Sequence, residues 1–190
     1  MTVRSILQIG NPTLRVPAQP IDPDTINSGE TQQLIEDLID TMGHASGAGL
    51  AAPQIGVGLR AVVMEVNGNP RYPYKPPIPL TIAINPVITP LDDELVEINE
   101  GCLSVPLRGN VMRHVNVRVR YLDRDGGEHD EVVRGLTAGT WQHECDHLDG
   151  VLFVDRVADP TTLTTWAEYE QFHRDAFVER ITAFVERVGS

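Results

Sequence analysis

Positive charge is scarce in this chain: 15 lysines and arginines stand against 27 aspartates and glutamates, a formal net charge of -12. A surface of that sign repels phosphate backbones, so nucleic acid is a poor match as the primary ligand. Cysteine is scarcer still. Cys102 and Cys145 are the only two, too few for a disulfide scaffold, which points to a reducing compartment. Long apolar runs are missing: no stretch approaches the roughly twenty residues of a membrane span. The N-terminus shows neither a charged-then-apolar signal nor an Arg- and Ser-rich leader. The expectation is a cytoplasmic protein with no membrane partner. No repeat or low-complexity block is visible, and 190 residues suit one domain spanning 1–190.

What is present is patterned. Leu34, Ile35, Leu38, Ile39 and Met42 fall on one stripe of a helix over Thr31 to Met42, with Ser28 as cap and Gly43 as stop. Val- and Ile-rich runs at Arg60 to Val66 and Leu80 to Asn85 predict two strands, joined by a stiff loop, Asn67 to Pro79, that holds five prolines. A short strand is expected around Leu95 to Ile98. Strict alternation at Val115, Val117, Val119 and Tyr121 predicts another, paired through the Asp123 to Gly127 turn with Glu128 to Val133. Helical spacing resumes at Leu136. A final long amphipathic helix is read from Asp159-Pro160 onward, carrying Leu163, Trp166, Phe177, Ile181, Phe184 and Val188. The fold class expected is α+β: a mainly antiparallel β-sheet packed around an internal metal-binding helix, with a long C-terminal helix.

That internal helix contains Gln142-His143-Glu144-Cys145-Asp146-His147, an H-E-x-x-H pattern whose histidines, four apart, share one face and can grip one cation. At about 100° per residue, Leu136, Gly139 and Thr140 share that face. Ala138, Trp141, Cys145 and Leu148 lie opposite, so Cys145 reads as a buried hydrophobe rather than a ligand. Two histidines do not complete a catalytic site, and a third ligand must come from elsewhere. Cys102 is the candidate, in Glu100-Gly101-Cys102-Leu103-Ser104-Val105-Pro106, where glycine and proline restrict the backbone. A thiolate with two imidazoles suits Zn²⁺ or Fe²⁺ and leaves a position for water.

Gly47-Ala48-Gly49-Leu50-Ala51-Ala52-Pro53-Gln54, Glu100 to Ser104 and Gln142 to His147, in that order and spacing, resemble the peptide deformylase family. The likeness runs from the Gly10-Asn11-Pro12 turn to the last helix. It implies hydrolysis of the formyl group of N-formylmethionyl nascent polypeptides. Cys102, His143 and His147 are then the metal ligands, for Fe²⁺ in the cell with Zn²⁺, Ni²⁺ or Co²⁺ as substitutes. Glu144 becomes the general base, and Gln54 with the Leu103 backbone N–H stabilises the oxyanion. The resemblance gives substrate contacts to Gly47, Ala48, Gly49, Ile98, Glu100, Arg108, Leu136, Gly139 and Thr140. Many family members carry bulkier branched residues where this chain has Ala48, Gly139 and Thr140, which implies a wider or more polar pocket mouth. Some members dock on the ribosome through a basic C-terminal helix, but the acidic residues of this tail speak against that contact.

Two rival readings remain. An H-E-x-x-H zinc peptidase would take Glu168 as third ligand, leaving the Cys102 and Gln54 segments unexplained. A purely structural metal would normally have four protein ligands rather than three.

Overall fold

The computed structural model describes residues 2–68 and 72–190, so Met1 and residues 69–71 of the proline-rich loop lie outside the description. Helix α1 (Gly29–His44) starts where Ser28 accepts the Thr31 N–H, a cap that contributes about 1 kcal/mol. It runs through Gly43 rather than stopping there.

Strands β1 (Gly49–Ala51), β2 (Ala61–Val66), β3 (Ile78–Pro90), β6 (Asn116–Leu122) and β7 (Glu128–Arg134) form one antiparallel sheet in the order β1-β2-β3-β6-β7. Strands β4 (Leu95–Cys102), β5 (Val105–His114) and β8 (Thr164–Thr165) form a second antiparallel sheet. Helix α2 (Gly135–Leu148) is the internal helix, and α3 (Trp166–Phe172) and α4 (Arg174–Val188) close the chain.

The two-residue period of β2 sends its apolar residues alternately into two clusters. Val62 and Met64 point to α2, packing with Ala138, Trp141, Cys145 and Leu148. Ala61 and Val63 point the other way, to Leu34, Ile35, Leu38 and Met42 of α1. A strand covered on both sides reads as a near-continuous apolar run, and Ala61 to Met64 of β2 does, with Glu65 the one polar interruption. The face of α2 expected to enter the core therefore does so, leaving Leu136, Gly139, Thr140 and His143 to line a cavity.

Three local expectations need correction. The strands of the second sheet are longer than read, and β5 was not anticipated: Arg108 and Arg113 interrupt its apolar pattern, yet both are buried in ion or ring contacts. Strand β3 is likewise much longer than Leu80 to Asn85. The C-terminal helix is not continuous from Asp159. Asp159 caps only a single 3-10 turn, Pro160–Thr162. The chain then extends to pair Thr164 and Thr165 with Arg108 and Leu107. Thr165 caps α3 by accepting the Glu168 N–H, and the helix breaks at His173 before α4.

No helix among the described residues is long and apolar enough to cross a membrane.

Candidate metal centre

Strand pairing, not helix geometry, brings the third ligand in. The β4–β5 register shifts between Gly101 and Cys102, and Cys102 ends opposite Val105 across a two-residue connection. Irregularities of this kind re-aim a side chain, and here the Cys102 thiol is turned toward α2. Its sulfur lies 3.3 Å from His147 Nε2. The ligand atoms of Cys102, His143 and His147 all lie within 4.8 Å of one another. Glu168, the third ligand of the peptidase reading, is exposed on α3 and is not part of this group.

The surroundings of the sulfur are ordered. Ser104 N–H donates to it at 3.3 Å, and Gln54 Nε2 approaches at 3.5 Å while donating to Ser104 Oγ at 3.0 Å. The Gln54 amide has a fixed sense, because its Oε1 accepts the Ala51 N–H at 2.9 Å. The turn carrying Leu103 thus adjoins a side-chain amide already directed at the sulfur.

His143 is oriented from behind. Its Nδ1 lies 2.8 Å from Glu100 Oε2, so Nε2 is the nitrogen left for a cation. Both Glu100 oxygens also take hydrogen bonds from Arg113, at 2.7 and 2.9 Å, and Arg113 Nη1 continues to Asp146 at 2.7 Å. Burial alone would raise the Glu100 carboxyl, but Arg113 and His143 hold it well below the usual range. Burial opposes charge on His143 too, yet hydrogen bonds it donates to Cys102 and Glu100 raise it well above the usual imidazole value. For His147, burial and the neighbouring His143 act together to lower it. The opposite shifts of the two imidazoles beside one cysteine sulfur mark a cluster whose protons a divalent cation can replace.

Glu144 lies between the ligands on α2 and points into the same space. Its Oε2 is buried without a hydrogen-bond partner among the described residues, and burial pushes its carboxyl up to about 7. Room for it exists because of Gly49: a Cβ there would stand 2.3 Å from Glu144 Oε1. The resemblance had tied Gly49 to substrate approach, and its first effect is to admit this carboxylate.

The cavity in front measures about 650 Å³ with its open mouth. Every residue expected at the substrate, namely Gly47, Ala48, Gly49, Ile98, Glu100, Arg108, Leu136, Gly139 and Thr140, lines it, as do Gln54, Leu103, Cys102, His143 and Glu144. His147 sits deeper, 1% exposed. The space at Gly139 is occupied by Ile98, whose Cδ1 lies 2.6 Å from where a Cβ would be. Glycine at 139 thus lets Ile98 lie close against α2.

Arg108 is 2% exposed and donates to Asn99 Oδ1 and the Asn99 carbonyl. Its guanidinium lies between the rings of Trp166 and Tyr169, 4.5 and 4.2 Å from their centroids. Sequence reasoning gave no role to Arg113, Asn99 and Lys75, which lie outside the motifs, or to Ser104 and Asp146, which lie inside them. Cys145 is free and buried in the core, where burial raises its thiol to about 12, so it is packing and not ligand.

Three convergent soft and borderline donors fit a first-row divalent cation, and a buried carboxylate with nothing to bind fits a proton acceptor for water. A centre of that composition is consistent with the class of metal-dependent hydrolases.

Comparison with known proteins narrows the class. The family model described as polypeptide deformylase matches residues 3–162. A peptide deformylase from Leptospira biflexa serovar Patoc is 48% identical over 159 residues, 83% of this chain and 89% of the relative. Peptide deformylase 1 of Prochlorococcus marinus is 48% identical over 172 residues, 90% of this chain and 88% of the relative. Among solved structures, a Met-Ala-Ser-bound class I type b peptide deformylase from Acinetobacter baumannii superposes with a TM-score of 0.79. It is 37% identical and covers 82% of this chain and 99% of its own. The Thermotoga maritima peptide deformylase gives 0.73 at 35% identity, covering 84% and 100%. This chain belongs to the polypeptide deformylase family of enzymes.

Proposed function

We infer that this enzyme releases formate from N-formylmethionyl polypeptides, with Cys102, His143 and His147 holding one divalent cation and Glu144 moving the proton. The observation that carries the reading is the convergence of those three ligand atoms beside the unpartnered Glu144 carboxylate. Fe²⁺ is the proposed cellular ion, with Zn²⁺, Ni²⁺ or Co²⁺ able to replace it; a donor set of one sulfur and two nitrogens suits each. When bound, the cation supplies Lewis-acid polarisation of the formyl oxygen and acidifies water.

The side chains do the rest. Glu144 accepts the proton from the attacking water and returns it to the departing amine, a shuttle suited to a carboxyl whose burial raises it toward neutrality. Gln54 Nε2 and the Leu103 N–H stabilise the charge that grows on the formyl oxygen, and the Ala51 bond to Gln54 fixes the amide beforehand. Glu100, bound by Arg113, is a positioning residue for His143 as well as part of the cavity wall. Gly47, Ala48 and Gly49 flank the peptide. Ile98, Leu136, Gly139 and Thr140 receive the first side chain, and Arg108 lies against the chain that follows. A relative of the same fold holds Met-Ala-Ser, the peptide that deformylation of formyl-Met-Ala-Ser would leave.

We read residues 1–190 as one catalytic domain, because Trp166 and Tyr169, beyond the family match, clamp Arg108 in the cavity wall. Two free, buried cysteines suit a reducing cytoplasm. A ribosomal contact through α4 has little electrostatic support: the helix carries three arginines against three carboxylates, and Arg180 is bonded to Glu97 and Arg174 to Glu170.

The test is formate release from formyl-Met-Ala-Ser by anaerobically purified protein. Activity is expected to vanish on treatment with chelator and return with Fe²⁺ or Zn²⁺; undiminished release from metal-free protein overturns the reading. A local version follows from Gly49. Gly49→Ala displaces Glu144, and a displacement of about 1 Å costs about a hundredfold in rate. Steady-state kinetics should show that loss in kcat with the bound metal retained.

A further inference from the structure

Lys75 is the one lysine in the wall of the cavity, and nothing in the reaction outlined above uses it. It is half-buried, and its Nζ donates to Thr140 Oγ1 at 2.9 Å. An ammonium has three protons to donate. Among the described residues no carboxylate comes within ion-pair distance of it. Its Nζ also lies 5.2 Å from the centroid of the Tyr72 ring, and the Glu100 and Glu144 carboxylates of the same cavity favour its charge from a greater distance.

The position is built rather than incidental. Lys75 N–H donates to the Tyr72 carbonyl at 3.0 Å, closing a turn, and Pro76 and Pro77 restrict the chain immediately beyond. Tyr74 anchors the same turn, edge-to-face on Phe177 of α4 with centroids 5.2 Å apart. Thr140 Oγ1 is itself held by donating to the Leu136 carbonyl at 3.1 Å. The pocket expected to take the first side chain thus has two kinds of wall. Ile98 and Leu136 are hydrocarbon, while the Thr140 end presents a cation with donors to spare.

We propose that Lys75 is a specificity-determining residue, which makes this pocket favour a first side chain carrying a hydrogen-bond acceptor near its tip. This rests on the deformylase reading and adds the substrate class. A thioether is a weak acceptor. Oxidation of methionine to its sulfoxide turns the same chain into a strong one, so formyl peptides beginning with oxidised methionine are accepted rather than excluded. Purely hydrocarbon chains of equal length gain nothing from the ammonium and leave it poorly solvated.

Formate release is to be compared on formyl-methionyl, formyl-methionine-sulfoxide and formyl-norleucyl peptides that are otherwise identical, using the metal-loaded enzyme. The unaltered enzyme should show kcat/KM for the sulfoxide at least equal to that for norleucine. In Lys75→Met the sulfoxide-to-norleucine ratio should fall by about tenfold or more, the usual scale for a hydrogen bond to a charged group. Because the readout is a ratio within one protein, a general loss of activity leaves it interpretable. If the unaltered enzyme prefers norleucine over the sulfoxide by tenfold, or if Lys75→Met leaves the ratio where it was, the proposal is wrong. No turnover of formyl-methionyl peptide by the unaltered enzyme would instead remove the underlying reading.

Discussion

Cys102→Ala protein, purified anaerobically, should carry almost no cation and release almost no formate. Residues that merely orient a metal ligand cost about tenfold to a hundredfold in metal affinity when removed. A ligand atom must cost more than that, so the expected loss exceeds about a hundredfold in affinity. Metal content by elemental analysis and formate release should fall together. The polar contacts of the thiol, with His147, Ser104 and Gln54, all lie within the centre, while the rest of the residue packs with Val105, Val111, Leu152 and Phe153. Glu168→Ala, an exposed change on α3, should leave metal content intact, which separates this centre from that of an H-E-x-x-H peptidase.

Glu144→Gln should give the opposite dissociation, with metal retained and turnover lost. The substitution preserves side-chain volume in the narrow space beside Gly49 while removing the proton acceptor. General acid–base catalysis contributes about a hundredfold to ten-thousandfold, and kcat should fall within that range. Equal loss of metal and rate would mark Glu144 as structural. Retention of most activity would mean that the proton travels by another group, and Lys75 or His143 would have to be examined in its place.

The site was more legible in the sequence than the fold that supports it. The histidine pair and the intervening Glu144 are local, and a helix of known period places them without further information. Cys102 could be nominated from its glycine- and proline-bounded setting, but its aim depends on a register shift that no spacing announces. The face of α2 that enters the core was predictable from the periodicity of Ala138, Trp141, Cys145 and Leu148, and it packs as expected.

What escaped the sequence is what depends on distant pairing. Arg113 reaches Glu100 across 13 positions and Asp146 across 33, and neither partner signals the other. Buried arginines in β5 disguised a strand, since polar residues argue against burial unless their partners are known. The break between α3 and α4 was hidden for a related reason. Trp166 and Tyr169 turn toward Arg108, so apolar positions at helical spacing served two different surfaces. Nor does residue size reveal that Ile98 lies against Gly139, where a Cβ would collide with it.

The most direct test is X-ray absorption at the metal edge of zinc-loaded protein, which counts donor atoms without reference to activity. One sulfur at about 2.3 Å and two imidazole nitrogens at about 2.0 Å, with a light atom completing the shell, is the predicted coordination. A shell of nitrogen and oxygen alone would contradict it, since the cation would then sit on the two histidines without the thiol on which the proposed centre depends.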